Sequence, residues 1–148
     1  MKSQFIVSSP STPAEFEAYF LLRWQVLRQP WGQPSGSEKD ELEDKSFHLM
    51  AVDENGKMGG VCRLDIIDET SGQIRYMAVH PELQGMGLGI LLMEKAEMHA
   101  REKGLKKIFL HSRASACEFY RKQGYILIEK TYLLFNEIQH YSMEKPLI

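Results

Sequence analysis

The stretch of this chain best suited to chemistry is Val79-His80-Pro81-Glu82-Leu83-Gln84-Gly85-Met86-Gly87-Leu88-Gly89-Ile90. It carries glycine at alternate positions where an apolar strand passes into an apolar helix. Glycine lacks a Cβ, so the backbone turns sharply there and a ligand approaches the N–H groups closely. A helix N-terminus adds unpaired amide donors and the positive end of a dipole. Together they form an anion site, most often one for phosphate.

Two familiar phosphate readers are excluded by residue type. A dinucleotide fingerprint needs G-x-G-x-x-G directly after a strand. Counting from Gly85 gives Gly85, Gly87 and Ile90, so the third glycine is missing. Pro81 and its neighbours also intervene between Val79 and Gly85. A P-loop must end in Gly-Lys-Ser/Thr, and no such ending is present. The two cysteines, Cys62 and Cys117, lie far apart without metal-ligand spacing and read as reduced, core-lining thiols. A cysteine nucleophile would need a paired base, and none can be placed from the sequence.

The elements that must position the glycine run are readable around it. Lys2 to Val7 reads as a short strand. Thr12-Pro13-Ala14-Glu15 carries a capping box with proline at the first helical position. Phe16, Tyr19, Phe20, Arg23 and Leu27 continue at helical spacing and stop before Pro30. Trp31 to Ser37 is a loop by composition, and Glu38 to Asp44 is an acidic run that suits a short helix with a solvated face. Phe47 to Val52 and Met58 to Ile67 are strands joined by Asn55-Gly56, a strong hairpin signal. A turn at Thr70-Ser71-Gly72 leads into the strand Gln73 to Val79. After the glycine run, Leu88, Leu91, Leu92, Lys95, Ala96 and His99 mark a long helix closed by Gly104. Lys107 to His111 is a short strand. Ser115-Ala116-Cys117-Glu118 reads as a second capping box, opening a short helix that Gly124 ends. Tyr125 to Phe135 and His140 to Met143 are final strands, expected to pair antiparallel. This order implies one α/β (α+β) domain over 1–148, a mixed, mostly antiparallel sheet flanked by helices.

Composition narrows the partners. The chain has 148 residues, 43% hydrophobic and 26% charged, enough for one sizeable core. A formal net charge of -2 leaves no footprint for nucleic acid. No apolar run is long enough for a membrane span, and Met1 to Gln4 lacks the features of a signal peptide. The expectation is a cytoplasmic protein with neither nucleic-acid nor membrane partners.

Gln84-Gly85-Met86-Gly87-Leu88-Gly89 resembles the Q/R-x-x-G-x-G/A motif of the GNAT superfamily of N-acetyltransferases. Ala116-Cys117-Glu118-Phe119-Tyr120-Arg121-Lys122-Gln123-Gly124-Tyr125 resembles that family's A-x-x-F-Y-x-x-x-G-F/Y segment. Both motifs occur in the right order and separation, and the resemblance runs from about Phe47 onward. Gln139-His140-Tyr141-Ser142-Met143 resembles the small ElaA-like branch. The resemblance implies a GNAT-like fold and acetyl-CoA as co-substrate, with no metal. It assigns Gln84, Gly85, Met86, Gly87, Leu88, Gly89 and Ile90 to the CoA pyrophosphate, through backbone amides. It pairs Met77, Ala78 and Val79 with the pantetheine arm, and one free amide there would polarise the thioester carbonyl. It gives Tyr120 the role of general acid to the departing thiolate.

Two positions depart from the family. Arg113 stands where many relatives have an asparagine that contacts CoA; that contact does not carry over, and an arginine there is expected to reach CoA phosphate or pantetheine groups instead. Gln73 roughly matches the glutamate base of histone-modifying relatives and cannot accept a proton usefully. The base is therefore open between a water chain, His111 and an acid in the first half of the chain. The implied acceptor is an amine on a small molecule, a protein N-terminus or a lysine. The C-terminal strands are free to pair across a homodimer. A non-catalytic acyl-CoA sensor or interaction module of the same fold is the alternative. Plainer readings stand beside the sharper ones. Tyr120 suits a core helix, and His80 suits a solvent-facing turn. Trp24 and Trp31 suit packing or an acceptor pocket. Glu38, Asp40, Glu41, Glu43 and Asp44 suit a solvated face or attraction of a cationic amine.

Overall fold

The computed structural model describes residues 4–147. The described strands form one seven-stranded sheet in the order β1-β2-β3-β4-β5-β7-β6. They are β1 (Phe5–Ser8), β2 (Phe47–Asp53), β3 (Met58–Ile66), β4 (Ser71–Val79), β5 (Lys107–Arg113), β6 (Ile126–Leu134) and β7 (Ile138–Pro146). Every neighbouring pair is antiparallel except β4 and β5. The helices are α1 (Pro13–Leu27), α2 (Leu88–Glu102) and α3 (Cys117–Arg121). α2 makes the crossover that a parallel pair requires. Of the expected first strand, Lys2 and Ser3 lie outside the described residues.

Each face of the sheet carries its own core. Leu49, Cys62, Leu64, Ile74, Leu92, Met93 and Ile108 pack with α2 and α3 on one side. Tyr19, Leu22, Met50, Val61 and Ala78 pack around α1 on the other. Gly59 and Gly60 let the α2 side come close. A Cβ on Gly59 would stand 2.7 Å from Leu83, and one on Gly60 would stand 3.0 Å from Leu92.

α1 begins as its sequence dictates. The Thr12 side chain accepts from the Glu15 amide at 3.1 Å, and Glu15 returns the bond to the Thr12 amide at 3.1 Å. The second expected capping box does not form. A 3-10 turn occupies Ala114–Ala116, so Ala116 is the N-cap of α3 and no side chain caps it. Glu118 turns instead to Arg121 one turn on. The last hairpin is longer than expected: Phe135 and Asn136 both take positive φ, 53° and 58°. Two such residues in succession make the mirror-image turn that joins twisted strands tightly.

The acidic run departs most from expectation. Glu41 and Asp44 are exposed, but Glu38 is buried and Asp40 and Glu43 point inward. They meet two fully buried arginines. Arg63 binds Asp40 at 2.7 and 3.0 Å, Asp65 at 2.9 and 2.7 Å, and Glu43 at 2.9 Å. Arg23, on the buried face of α1, binds Glu43 at 2.8 Å and the Glu38 carbonyl at 3.1 Å. Arg75 stands 3.5 Å from Asp40. Three guanidiniums thus face three carboxylates, Asp40, Glu43 and Asp65. Neutrality of this kind is what makes burial of charge tolerable.

Asp40 reports on the cluster. Hydrogen bonds from Arg63 hold its carboxyl down to about 2. A depressed folded-state value stabilises above the unfolded pKa and stops doing so as pH falls through the folded one. Asp40→Asn is therefore expected to cost about 2 kcal/mol above pH 5, and the difference from the parent should vanish near pH 2. Urea unfolding across that range measures it; a pH-independent difference would refute the assignment.

Candidate active site

The parallel pairing of β4 and β5 stops at Ile74 opposite Leu110. Beyond it the strands part. β5 stays with β7, through Ser112 opposite Tyr141 and Arg113 opposite His140. β4 stays with β3, through Ala78 opposite Val61 and Val79 opposite Gly60. Arg75 to Val79 thus present a sheet edge with no ladder partner on the β5 side among the described residues. An extended ligand arm can add to such an edge as a strand would.

A bulge sets the aim of this edge. Register slips between Val61 and Arg63 of β3, opposite Tyr76 of β4, and Tyr76 takes φ 55°. An extra residue in one strand switches which face the following side chains occupy. Ile74 faces the α2 core, whereas Ala78 faces the α1 core. Without the slip those two residues would share a face. The Tyr76 ring is held among arginines, with the guanidinium carbons of Arg23, Arg63 and Arg75 4.4, 4.9 and 5.1 Å from its centre. Its hydroxyl donates to Asp40 at 3.3 Å. Sequence reasoning passed over Tyr76; arginines embedded in apolar helix and strand contexts were the available signal.

The gap between the strands is a cleft of about 460 Å³. Of the residues singled out from sequence, it brings together Gln73, Met77, His111, Arg113, Tyr120 and Trp31. It adds Arg28, Arg75, Tyr132 and His140, which sequence reasoning missed. Trp24 is not in the lining; its indole N–H donates to the Gln33 carbonyl at 3.0 Å. Tyr120 is buried against Phe119 and Tyr125 in edge-on contacts, with centroids 5.0 and 5.9 Å away. Burial raises its pKa, so the phenol keeps its proton at neutral pH. Among the described residues no carboxylate lines the cleft, and the inward-facing acids of the first half of the chain are held in the ion cluster. His111 keeps a buried Nδ1 without a hydrogen-bond partner. Burial, then the charge of Arg75, lowers its pKa and leaves the imidazole neutral. His80 has a local task, accepting from the Glu82 amide at 3.2 Å.

The glycine loop lies at the far end of β4. Gly85 and Gly87 take φ of 84° and 85°, and neither position has an atom within 4 Å of where a Cβ would stand. Gly87 is the N-cap of α2, and no side chain caps that helix. Among the described residues its first-turn amides thus have no side-chain acceptor, as an anion cradle requires. Gly89 has a different reason to be glycine: a Cβ there would stand 2.8 Å from the Phe119 ring. That contact joins the two sequence motifs in space. Leu88 is buried in the α2 core and Ala78 in the α1 core, so neither side chain is free for a ligand. The Gln84 amide folds back onto the Val79 carbonyl at 3.4 Å and ties the loop to the strand. Met86 and Ile90 are exposed. Cys62 is buried, which pushes its thiol up to about 12 and makes it a poor nucleophile.

Residues 16–125 match the acetyltransferase (GNAT) family. The chain belongs to that family. An uncharacterized N-acetyltransferase of Bacillus subtilis (strain 168) is 28% identical over 127 residues, 85% of this chain and 89% of that protein. The GNAT fold recurs in a crystal structure of an N-acetyltransferase, described as putative, from Lactobacillus plantarum, with a TM-score of 0.85. That structure is 21% identical, and the match covers 97% of this chain and 99% of that one. It recurs also in an aminoglycoside 6'-N-acetyltransferase complexed with coenzyme A, at TM-score 0.81 and 16% identity over 97% of each chain.

Proposed function

We propose that this GNAT protein transfers the acetyl group of acetyl-CoA to a primary amine by direct attack. The observation that carries the proposal is the parting of β4 and β5 beyond Ile74, with Tyr120 in the cleft and the glycine loop at the end of the free edge. Two GNAT-fold structures with coenzyme A or acetyl-CoA bound support it, one of them from Elizabethkingia anophelis.

In this reading the amides from Gly85 to Ile90 hold the pyrophosphate, with Gln84 and Met86 shaping the loop. The backbone of Met77, Ala78 and Val79 pairs with the pantetheine arm and directs an amide at the thioester oxygen. Arg113 lies on the β5 side of the cleft and adds charge for the cofactor. The amine nitrogen bonds to the acetyl carbon, the carbon–sulfur bond breaks, and Tyr120, as general acid, donates a hydrogen bond to the sulfur as it leaves as thiolate. Holding amine and thioester together supplies much of the rate. His111 takes the proton from the amine, since its imidazole is neutral and its Nδ1 has no hydrogen-bond partner among the described residues. The open edge strand β6, with Ile126, Leu127 and Ile128 exposed, supports pairing with a second copy.

Thiol release from acetyl-CoA across a panel of amines tests the reaction. Binding without turnover would make the protein an acyl-CoA sensor, and absence of binding would sink the proposal. The pH profile tests His111. Deprotonation of an alkyl ammonium alone gives log kcat/KM a slope of one through neutrality. A second required deprotonation steepens it below the His111 pKa, which lies under the ordinary 6.5. In His111→Gln that steeper limb should be absent. An unchanged profile would remove His111 as the base.

A further inference from the structure

We infer that the acceptor is a small amine carrying its own anionic group, a carboxylate or a phosphate, which Arg28 and Arg75 bind. The inference rests on the acetyltransferase reading and names the substrate class of the same cleft. Its basis is the charge of the lining. Arg28, Arg75 and Arg113 face the cleft, and among the described residues no carboxylate lines it.

The acidic run offered a partner for a cationic amine when read as sequence. In the fold those acids are spent. Asp40 is gripped by both Nη atoms of Arg63, and Glu43 is shared between Arg23 and Arg63. Arg75 is 38% exposed on its side chain and has only the outer approach to Asp40 at 3.5 Å. Arg28 has no carboxylate partner at all among the described residues. Its Nε and Nη1 donate to the carbonyls of Ser37 and Leu27, at 3.2 Å each. Burial lowers its pKa, the mark of a cation short of compensation. Arg28, Arg75 and Tyr132 all line the same cleft. An incoming anion would complete their partnerships by charge-assisted hydrogen bonds, which guanidinium makes in pairs. The same positive field disfavours an ammonium and so favours the neutral amine that must attack.

The size of the site points to a small molecule. Leu27, Trp31, Leu134 and Ile138 are among the residues that wall the cleft, and about 460 Å³ is available for the acceptor and the end of the pantetheine arm together.

The test compares purified full-length protein on matched acceptors. These are β-alanine and γ-aminobutyrate, their carboxamides, phosphoethanolamine, a diamine, and peptides with acidic N-termini. Expected is a kcat/KM at least about tenfold higher for the anionic amines than for their carboxamides or the diamine. Carboxylate against phosphate is decided within the panel. Arg28→Gln and Arg75→Gln should each remove most of that preference through KM, leaving the KM for acetyl-CoA in place. Because Arg75 also touches the ion cluster, Arg28→Gln is the variant that stands if the other folds poorly. Equal or better turnover of the diamine or carboxamides overturns the inference while leaving the acetyltransferase reading intact. So does a rise in the acetyl-CoA KM in both variants, which would assign the arginines to the cofactor. Faster turnover of the acidic peptides overturns the small-molecule class. No turnover on any amine overturns both readings.

Discussion

Arg63→Ala is expected to cost 3–5 kcal/mol, on the order of 10 °C in melting temperature for a domain of this size. Arg63 has no solvent exposure and is the hub of the buried ion cluster. Removing it leaves Asp40, Asp65 and part of Glu43 without the charge that made their burial tolerable. The cost is mostly that of stranded carboxylates, not of the lost ion pairs themselves. The Tyr76 ring loses one of its flanking guanidiniums as well. Arg63→Lys keeps the charge but cannot grip two carboxylates in pairs, so it should fall between parent and alanine. Urea unfolding of the three proteins measures this. A loss below about 1 kcal/mol for Arg63→Ala would mean that the cluster behaves as a solvent-screened surface network.

The same cluster shows where the sequence was readable and where it was not. Thr12-Pro13-Ala14-Glu15, Asn55-Gly56 and the Gly104 helix end are local devices, and each formed where its residues stand. Their information is complete within four or five residues. The acidic run fails as a local reading because its partners are remote. Arg23 lies on α1, Arg63 on β3 and Arg75 on β4, and only the fold brings them to residues 38–44. An apolar strand such as Gly60-Val61-Cys62-Arg63-Leu64-Asp65 does carry a hint. Arg63 and Asp65 share a face two residues apart, and a buried arginine must find anions somewhere.

The site divides in a similar way. The glycine loop was legible because a positive φ and a helix start both depend on local residue type. Gly89 was legible as glycine but not for its reason, since Phe119 is distant in sequence. The bulge at Tyr76 was not legible. Nothing within Gln73 to Val79 marks it, and a slipped register is decided by the pairing with β3. Arg28, Tyr132 and His140 were missed because they come from the end of α1 and from two late strands. Tyr132 stacks on His140 with centroids 4.5 Å apart, a pairing that only the β6–β7 register creates.

Tyr120→Phe is expected to lower kcat by about 10²-fold or more while leaving stability unchanged within about 0.5 kcal/mol, if its phenol serves the leaving sulfur. The substitution is unusually clean here. The ring contacts with Phe119 and Tyr125 survive in phenylalanine. Packing therefore gives no reason for the oxygen, and its place on the cleft does. The raised pKa sharpens the chemistry. A phenol above its usual 10 is a weaker acid than a thiol near 8.5, so full proton transfer to a free thiolate would run uphill. The useful act is a hydrogen bond donated as negative charge grows on sulfur, strongest at the transition state and weak before it. The expected signature follows from that timing: kcat falls while the KM values for acetyl-CoA and amine barely move. An acyl donor with a more acidic thiol needs less help, so the Phe variant should recover part of its rate with one. Equal kcat for parent and variant, with bond cleavage shown to be rate-limiting, would return Tyr120 to the role of a core aromatic that steadies α3 against β5.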